Sequence, residues 1–130
     1  MKYCLLLICA VLLFGCSDDK DDKPASSSGI PSVPDTQDPY VEITEPTNGV
    51  RVARGAVVRI KANASDNVGV SYVDFYVGGT LKHRDNNSPY YYDWRVPAHD
   101  DGRRDYGLYV KAVDASGNSN SYSITVWSFI

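Results

Sequence analysis

Residues 72–85 read YVDFYVGGTLKHRD, and their spacing decides the fold. Val73, Phe75 and Val77 fall at every second position, with Tyr72, Asp74 and Tyr76 between them. Successive side chains of a strand point to opposite sides, so a period of two sends the first set inward and the second outward. Gly78-Gly79 then breaks the run. Two glycines between extended segments signal a tight hairpin, because the primed turns that fit twisted strands need positive φ at their centre. Thr80–Asp85 is the returning strand.

The same alternation extends in both directions. Val41 and Ile43 share a face in YVEIT, as do Val58, Ile60, Ala62 and Ala64 in VVRIKANA. Tyr90, Tyr92, Trp94 and Val96 do so in YYYDWRV, Tyr106, Leu108, Val110 and Ala112 in YGLYVKAVD, and Ile124 and Val126 in YSITVWSFI. No stretch of 40–130 has the period of an amphipathic helix. Short alternating strands separated by turn residues predict an all-β sandwich, each sheet burying its apolar face against the other. Ten tyrosines and only two glutamates, Glu42 and Glu45, suit strands better than helices.

The 130-residue chain has room for one such domain, over residues 40–130. Its formal charge of −3 is too mild for a nucleic-acid partner. The three cysteines, Cys4, Cys9 and Cys16, all precede the domain, so no disulfide or thiolate metal site can brace it. His83 and His99 are too isolated to form a zinc site. Core packing alone must hold the fold.

Before the domain the chain changes character twice. Lys2 is followed by an uninterrupted apolar run from Tyr3 to Phe14. As a helix this run would reach only ~18 Å against ~30 Å of bilayer hydrocarbon, the dimensions of a secretion signal and not of a membrane span. The run ends in LFGC, residues 13–16, which resembles the lipobox of bacterial lipoproteins, although Phe14 is bulkier than the residue usual there. The resemblance implies cleavage after residue 15, acylation of Cys16 and a permanent lipid anchor in the outer membrane; the alternative is an ordinary signal peptide with an incidental cysteine. Loss of residues 1–15 would take Lys2 with it and bring the charge from −3 to −4.

SDDKDDK, residues 17–23, resembles the acidic signal that sends some lipoproteins to the cell surface; a solvated spacer facing the periplasm is the other reading. Residues 16–39, with four of the seven prolines and almost no apolar side chains, are expected to form a disordered tether. Its relaxed span would be ~26 Å and its limit ~75 Å.

Over 40–130 the ordered features Pro46 with Asn48-Gly49, ASDNVGV, VDFYVGGT, SPY with Trp94 four residues on, and VKAVDASGN together resemble the bacterial immunoglobulin-like domains of secreted and surface proteins. HDDGRRDYG, with two arginines, and the aromatic ending VWSFI depart from the usual pattern. The resemblance implies an immunoglobulin-like β-sandwich of seven to eight antiparallel strands that serves as a spacer, adhesive or accessory module and carries no catalytic motif to transfer.

The residues themselves agree with a non-enzymatic role. No nucleophile elbow, phosphate loop, metalloprotease helix or Ser-His-Asp order is present, and the aspartates fall mostly in turns. Immunoglobulin strand order would gather Asp38, Asp66, Asn67 and Asp114 at one pole with Asn118 beside them, a hard-oxygen set suited to Ca²⁺. The same residues are also what tight turns require. Outward parity places Tyr72, Tyr76, Tyr109 and Trp127 on one sheet. There they could stack on sugar rings or centre a protein interface, or simply reflect the preference of aromatics for strands. The sequons at Asn63 and Asn86 carry little weight in a bacterial lipoprotein. The expected function is a lipid-anchored envelope protein presenting a binding or adhesion module; glycan capture for a polysaccharide-uptake system and pure spacing are the alternatives.

Overall fold

The computed structural model describes residues 32–99 and 102–129. The signal peptide, Cys16 and the tether up to residue 31 lie outside the described residues. Pro34–Ile130 form one compact unit.

Its eight strands are β1 (Tyr40–Glu45), β2 (Arg51–Ala53), β3 (Val57–Ser65), β4 (Val70–Val77), β5 (Thr80–Asp85), β6 (Tyr90–Arg95), β7 (Asp105–Asp114) and β8 (Ser119–Phe129). They form a three-stranded sheet, β1-β3-β6, and a five-stranded sheet, β2-β8-β7-β4-β5. The fold is the all-β sandwich that the alternation predicts, and the inward rows are those read from the sequence. Phe75, Leu108, Val73, Val110 and Val126 are fully buried on the five-stranded sheet, and Ile60, Trp94 and Val96, on or just after β3 and β6, close over them. Trp94 meets Tyr106 edge-on at 5.0 Å, an arrangement aromatic pairs favour. The Gly78-Gly79 turn has φ of 57° and 84°, the two positive values that a primed hairpin needs, and joins β4 to β5.

One pairing departs from the antiparallel expectation. The three-residue β2 runs parallel to β8, with Arg51 opposite Trp127. The cause is local. Asn48 Oδ1 accepts the Thr125 amide at 2.9 Å, the Gly49 amide donates to Thr125 O at 2.7 Å, and Trp127 N donates to Val50 O at 2.9 Å. Gly49, at φ 83°, makes the bend. These bonds draw the chain from the first sheet onto the last strand, whose edge would otherwise stay unpaired.

Strand order brings the chain entry (34–39), the β3–β4 loop and the β7–β8 turn to one pole. Pro39 is fully buried there, and Asn118 Nδ2 donates to Asp35 O at 3.1 Å.

Candidate functional site

The outer face of the five-stranded sheet carries the expected aromatic residues, but not as one platform. Tyr76 and Tyr109 are cross-strand partners on β4 and β7, and their rings meet edge-to-face at 5.2 Å. Tyr72, two positions before Asp74, is capped instead of open. The Arg84 guanidinium lies 3.7 Å from its ring centroid and grips Asp74 with both nitrogens, at 2.7 and 2.9 Å. That grip explains how Asp74, on the outward row, is only 3% exposed. Hydrogen bonding to Asp74 holds the Arg84 pKa above its ordinary value, against the opposing effect of desolvation. Trp127, 48% exposed, pairs with Asp105. It stands four residues along β8 from Ser123, the partner of Tyr109, which is ~13 Å of strand.

Between these groups the sheet is bare. The outward row of β7 runs Asp105, Gly107, Tyr109, Lys111, and Gly107 faces Thr125 of β8. Gly107 does not have the positive φ of the turn glycines, and a Cβ placed on it would meet nothing within 4 Å. Neither backbone conformation nor crowding calls for glycine there, although a glycine inside a strand costs roughly 0.5–1 kcal/mol relative to alanine. Its effect is to leave a shallow groove of about 450 Å³ bounded by Tyr76, Gly79, Tyr109, Lys111 and Ser123. Interior strand glycines often mark a bulge, a tight bend or a place where a ligand or another backbone comes close, and the β7–β8 register is unbroken through Gly107. Outward parity alone could not find this groove, because it registers side chains and not their absence.

A second aromatic group occupies the open edge of the sandwich between β5 and β6. His83 stacks on Tyr92 at 5.6 Å with the planes 17° apart, and Phe75 backs both rings at 6.2 and 6.4 Å. Asp85, Asn87, Ser88, Pro89, Tyr91 and Asp93 complete a cleft of about 640 Å³. Alternation gave no hint of it, since the two strands belong to different sheets.

The acidic pole is assembled partly from the expected residues. Asp66 and Asp114 converge, joined by Asp35, which the sequence places in the tether; one oxygen from each lies within 4.8 Å of the others. Asp38 is exposed and lies outside this set, on the wall of a neighbouring depression. Asn67 turns its amide to Asp35 Oδ1 at 3.1 Å. Asp114 is 2% exposed and is the acceptor around which the β7–β8 turn closes. Its Oδ1 takes the amides of Ser116 and Asn118 at 2.7 and 2.8 Å, and its Oδ2 takes Asn118 Nδ2 at 2.7 Å. Burial pushes the Asp114 pKa up, but the Asn118 side chain and the turn amides outweigh it and hold the carboxyl below the usual range. Asp66 Oδ2 caps the β3–β4 loop through Val68 N and Gly69 N, at 2.9 and 3.0 Å.

Comparison with known proteins accords with this architecture. A fibronectin(III)-like module of CbhA from Clostridium thermocellum superposes with a TM-score of 0.58 at 26% identity, over 68% of this chain and 95% of that one. No curated protein matches the chain. The family model of the bacterial Ig domain matches residues 39–126, from the buried Pro39 to the inward Val126 of β8. The chain therefore belongs to the bacterial Ig domain family.

Proposed function

We propose that this protein is a lipid-anchored envelope protein that holds one non-enzymatic binding module away from the membrane. Cys16 is the lipid attachment point, and the acidic and proline-rich segment after it is the stalk to an outer-membrane, surface-exposed site. The observation that carries the binding role is the groove over Gly107. A ligand seated there would contact the Tyr109 ring, 37% exposed and braced by Tyr76, and reach Lys111 and Ser123. A protein loop fits such a surface.

Glycan capture is the second reading. A glycine floor beside an aromatic wall also admits a flat sugar ring, with hydroxyl and ammonium groups at the rim to hydrogen-bond it.

The test separates binding from folding. The full-length chain, extracted in mild detergent, is screened against immobilised glycans and against purified envelope proteins. Gly107→Val fills the groove and Tyr109→Ala removes its wall. Each is expected to weaken binding roughly tenfold to a hundredfold, the effect of losing one to two anchor contacts. Gly107→Val should also keep or raise the melting temperature, because a strand glycine is replaced by a β-branched residue. Binding that survives both variants would place the ligand elsewhere. Anchoring is checked independently: labelled palmitate should enter the parent chain and not Cys16→Ala.

A further inference from the structure

We propose that the groove over Gly107 recognises an acidic tight turn of a protein partner, with Lys111 holding the carboxylate. The inference rests on the binding role given to that groove and names the partner it takes. Its starting point is a lysine without a counterion. Lys111 is half-buried on β7, the central strand of the five-stranded sheet, and lines the groove. The residue directly across on β4 is Asp74, the counterion that cross-strand pairing would supply. Asp74 is withdrawn. Arg84 takes both of its oxygens, at 2.7 and 2.9 Å, and leaves it 3% exposed. On the other flank Lys111 faces Ser121 of β8, which carries no charge. Among the described residues the Lys111 ammonium forms neither an ion pair nor a side-chain hydrogen bond.

The rest of the groove adds no opposing charge. Tyr76, Gly79, Gly107, Leu108, Tyr109 and Ser123 complete its lining, and none is acidic. Asp105, the acid on the outward row of β7, is ~20 Å of strand away from Lys111, more than two Debye lengths at physiological salt (~8 Å). Arg84 and Asp74 cancel each other. An anionic group entering the groove therefore meets one uncompensated positive charge, and a cationic group meets repulsion. The walls decide what carries that anion. They offer one ammonium and one serine hydroxyl among rings and glycine. A sugar ring would turn several hydroxyls toward surfaces that cannot pair them, and each unpaired hydroxyl is a loss. A tight turn asks for less. Turns are rich in Asp, Asn and Gly, so an acidic side chain reaching Lys111 arrives with a slim, close-lying backbone. Gly107, with nothing within 4 Å of where a Cβ would stand, leaves room for that backbone, and the Tyr109 ring packs along its side.

The probe is a phage-displayed library of short disulfide-closed loops, selected on the full-length chain in mild detergent. Enriched loops are expected to carry an Asp or Glu, and a synthetic copy with the corresponding amide should bind roughly fivefold to tenfold more weakly. Lys111→Gln should cost the acidic loop about the same and the amide loop nothing, because the two changes remove one contact. Lys111→Glu should reject the acidic loop and accept a copy with lysine in place of the acid. The Tm of Lys111→Gln should stay within about 2 °C of the parent, since the ammonium holds nothing in the folded chain. Loops that need Gly107 and Tyr109 but carry no acid, or an acid whose removal costs nothing, would overturn this inference and leave the groove as the binding site. Loops indifferent to Gly107→Val and Tyr109→Ala would sink the groove reading itself. A library that yields no loop would rule out the protein turn, and Lys111-dependent binding of polygalacturonate in its place would assign the groove to an acidic glycan.

Discussion

Trp94→Ala should destabilise the domain by about 3–5 kcal/mol, the range for deleting a large buried aromatic and leaving a cavity. Trp94 is 4% exposed on β6 and packs edge-on against Tyr106 of the opposite sheet, so its removal strips contacts from both layers at once. A domain of this size has roughly 5–15 kcal/mol in total, and no cysteine within it to form a disulfide. The urea midpoint should fall sharply while the slope of the transition stays near the parent value, because the surface exposed on unfolding barely changes. Trp127→Ala is the paired control. That ring is 48% exposed on the outer face of β8, and its loss should shift stability by no more than about 0.5 kcal/mol. The two tryptophans differ only in strand parity and the sheet they sit on, so their contrast tests the register of the sandwich directly. Equal effects from both would mean that β6 or β8 has the wrong face inward.

Those two residues also show what the sequence made legible. Alternation in VVRIKANAS, YVDFYV and YGLYVKAVD gives the buried rows of β3, β4 and β7, because a period of two with one wet face leaves only one register that buries the apolar set. β2 escapes such reading: three residues, RVA, are too few to show a period, and its parallel partner is fixed by backbone bonds from Asn48 and Gly49. Asp74 has outward parity and is nevertheless buried, since Arg84, ten residues later on β5, folds across it. Cross-strand events of this kind depend on register between elements, and a single strand's pattern does not contain them.

The candidate site divides along the same line. Tyr76 and Tyr109 share a face by parity alone, and the structure brings them together; Tyr72 and Trp127 share the face and stand apart. Asp66 and Asp114 sit in turns that the Asp-Asn-Gly chemistry announces, so their common pole follows from strand order. Asp35 has no such signal. It lies in a proline-rich stretch without periodicity, and only the path by which the chain enters the domain carries it to the pole.

Asp114→Ala tests how far that pole is structural. The substitution leaves the Ser116 and Asn118 amides and the Asn118 side chain without their acceptor, so three part-buried hydrogen bonds of the turn are lost together. A fall in Tm of about 10 °C is expected in calcium-free buffer. The acid limb supplies a second readout. The Asp114 carboxyl is held below its ordinary range in the folded chain by the Asn118 and turn hydrogen bonds, which overcome the upward push of burial. A depressed folded pKa means that the unfolded chain takes up the proton first. The stabilisation is therefore complete above the unfolded carboxylate range, near pH 4, and is lost as pH falls through the lower folded value. The parent should lose stability steeply below about pH 4, and Asp114→Ala should follow a shallower curve, so that the gap between them narrows with acid. Parallel curves from pH 7 to pH 2 would show that the turn amides find other acceptors and that Asp114 is not their anchor. Asn118→Ala removes a donor and leaves the carboxylate in place. It should cost less, because it strands one carboxylate oxygen and leaves the Ser116 and residue-118 backbone amides bonded to Asp114 Oδ1.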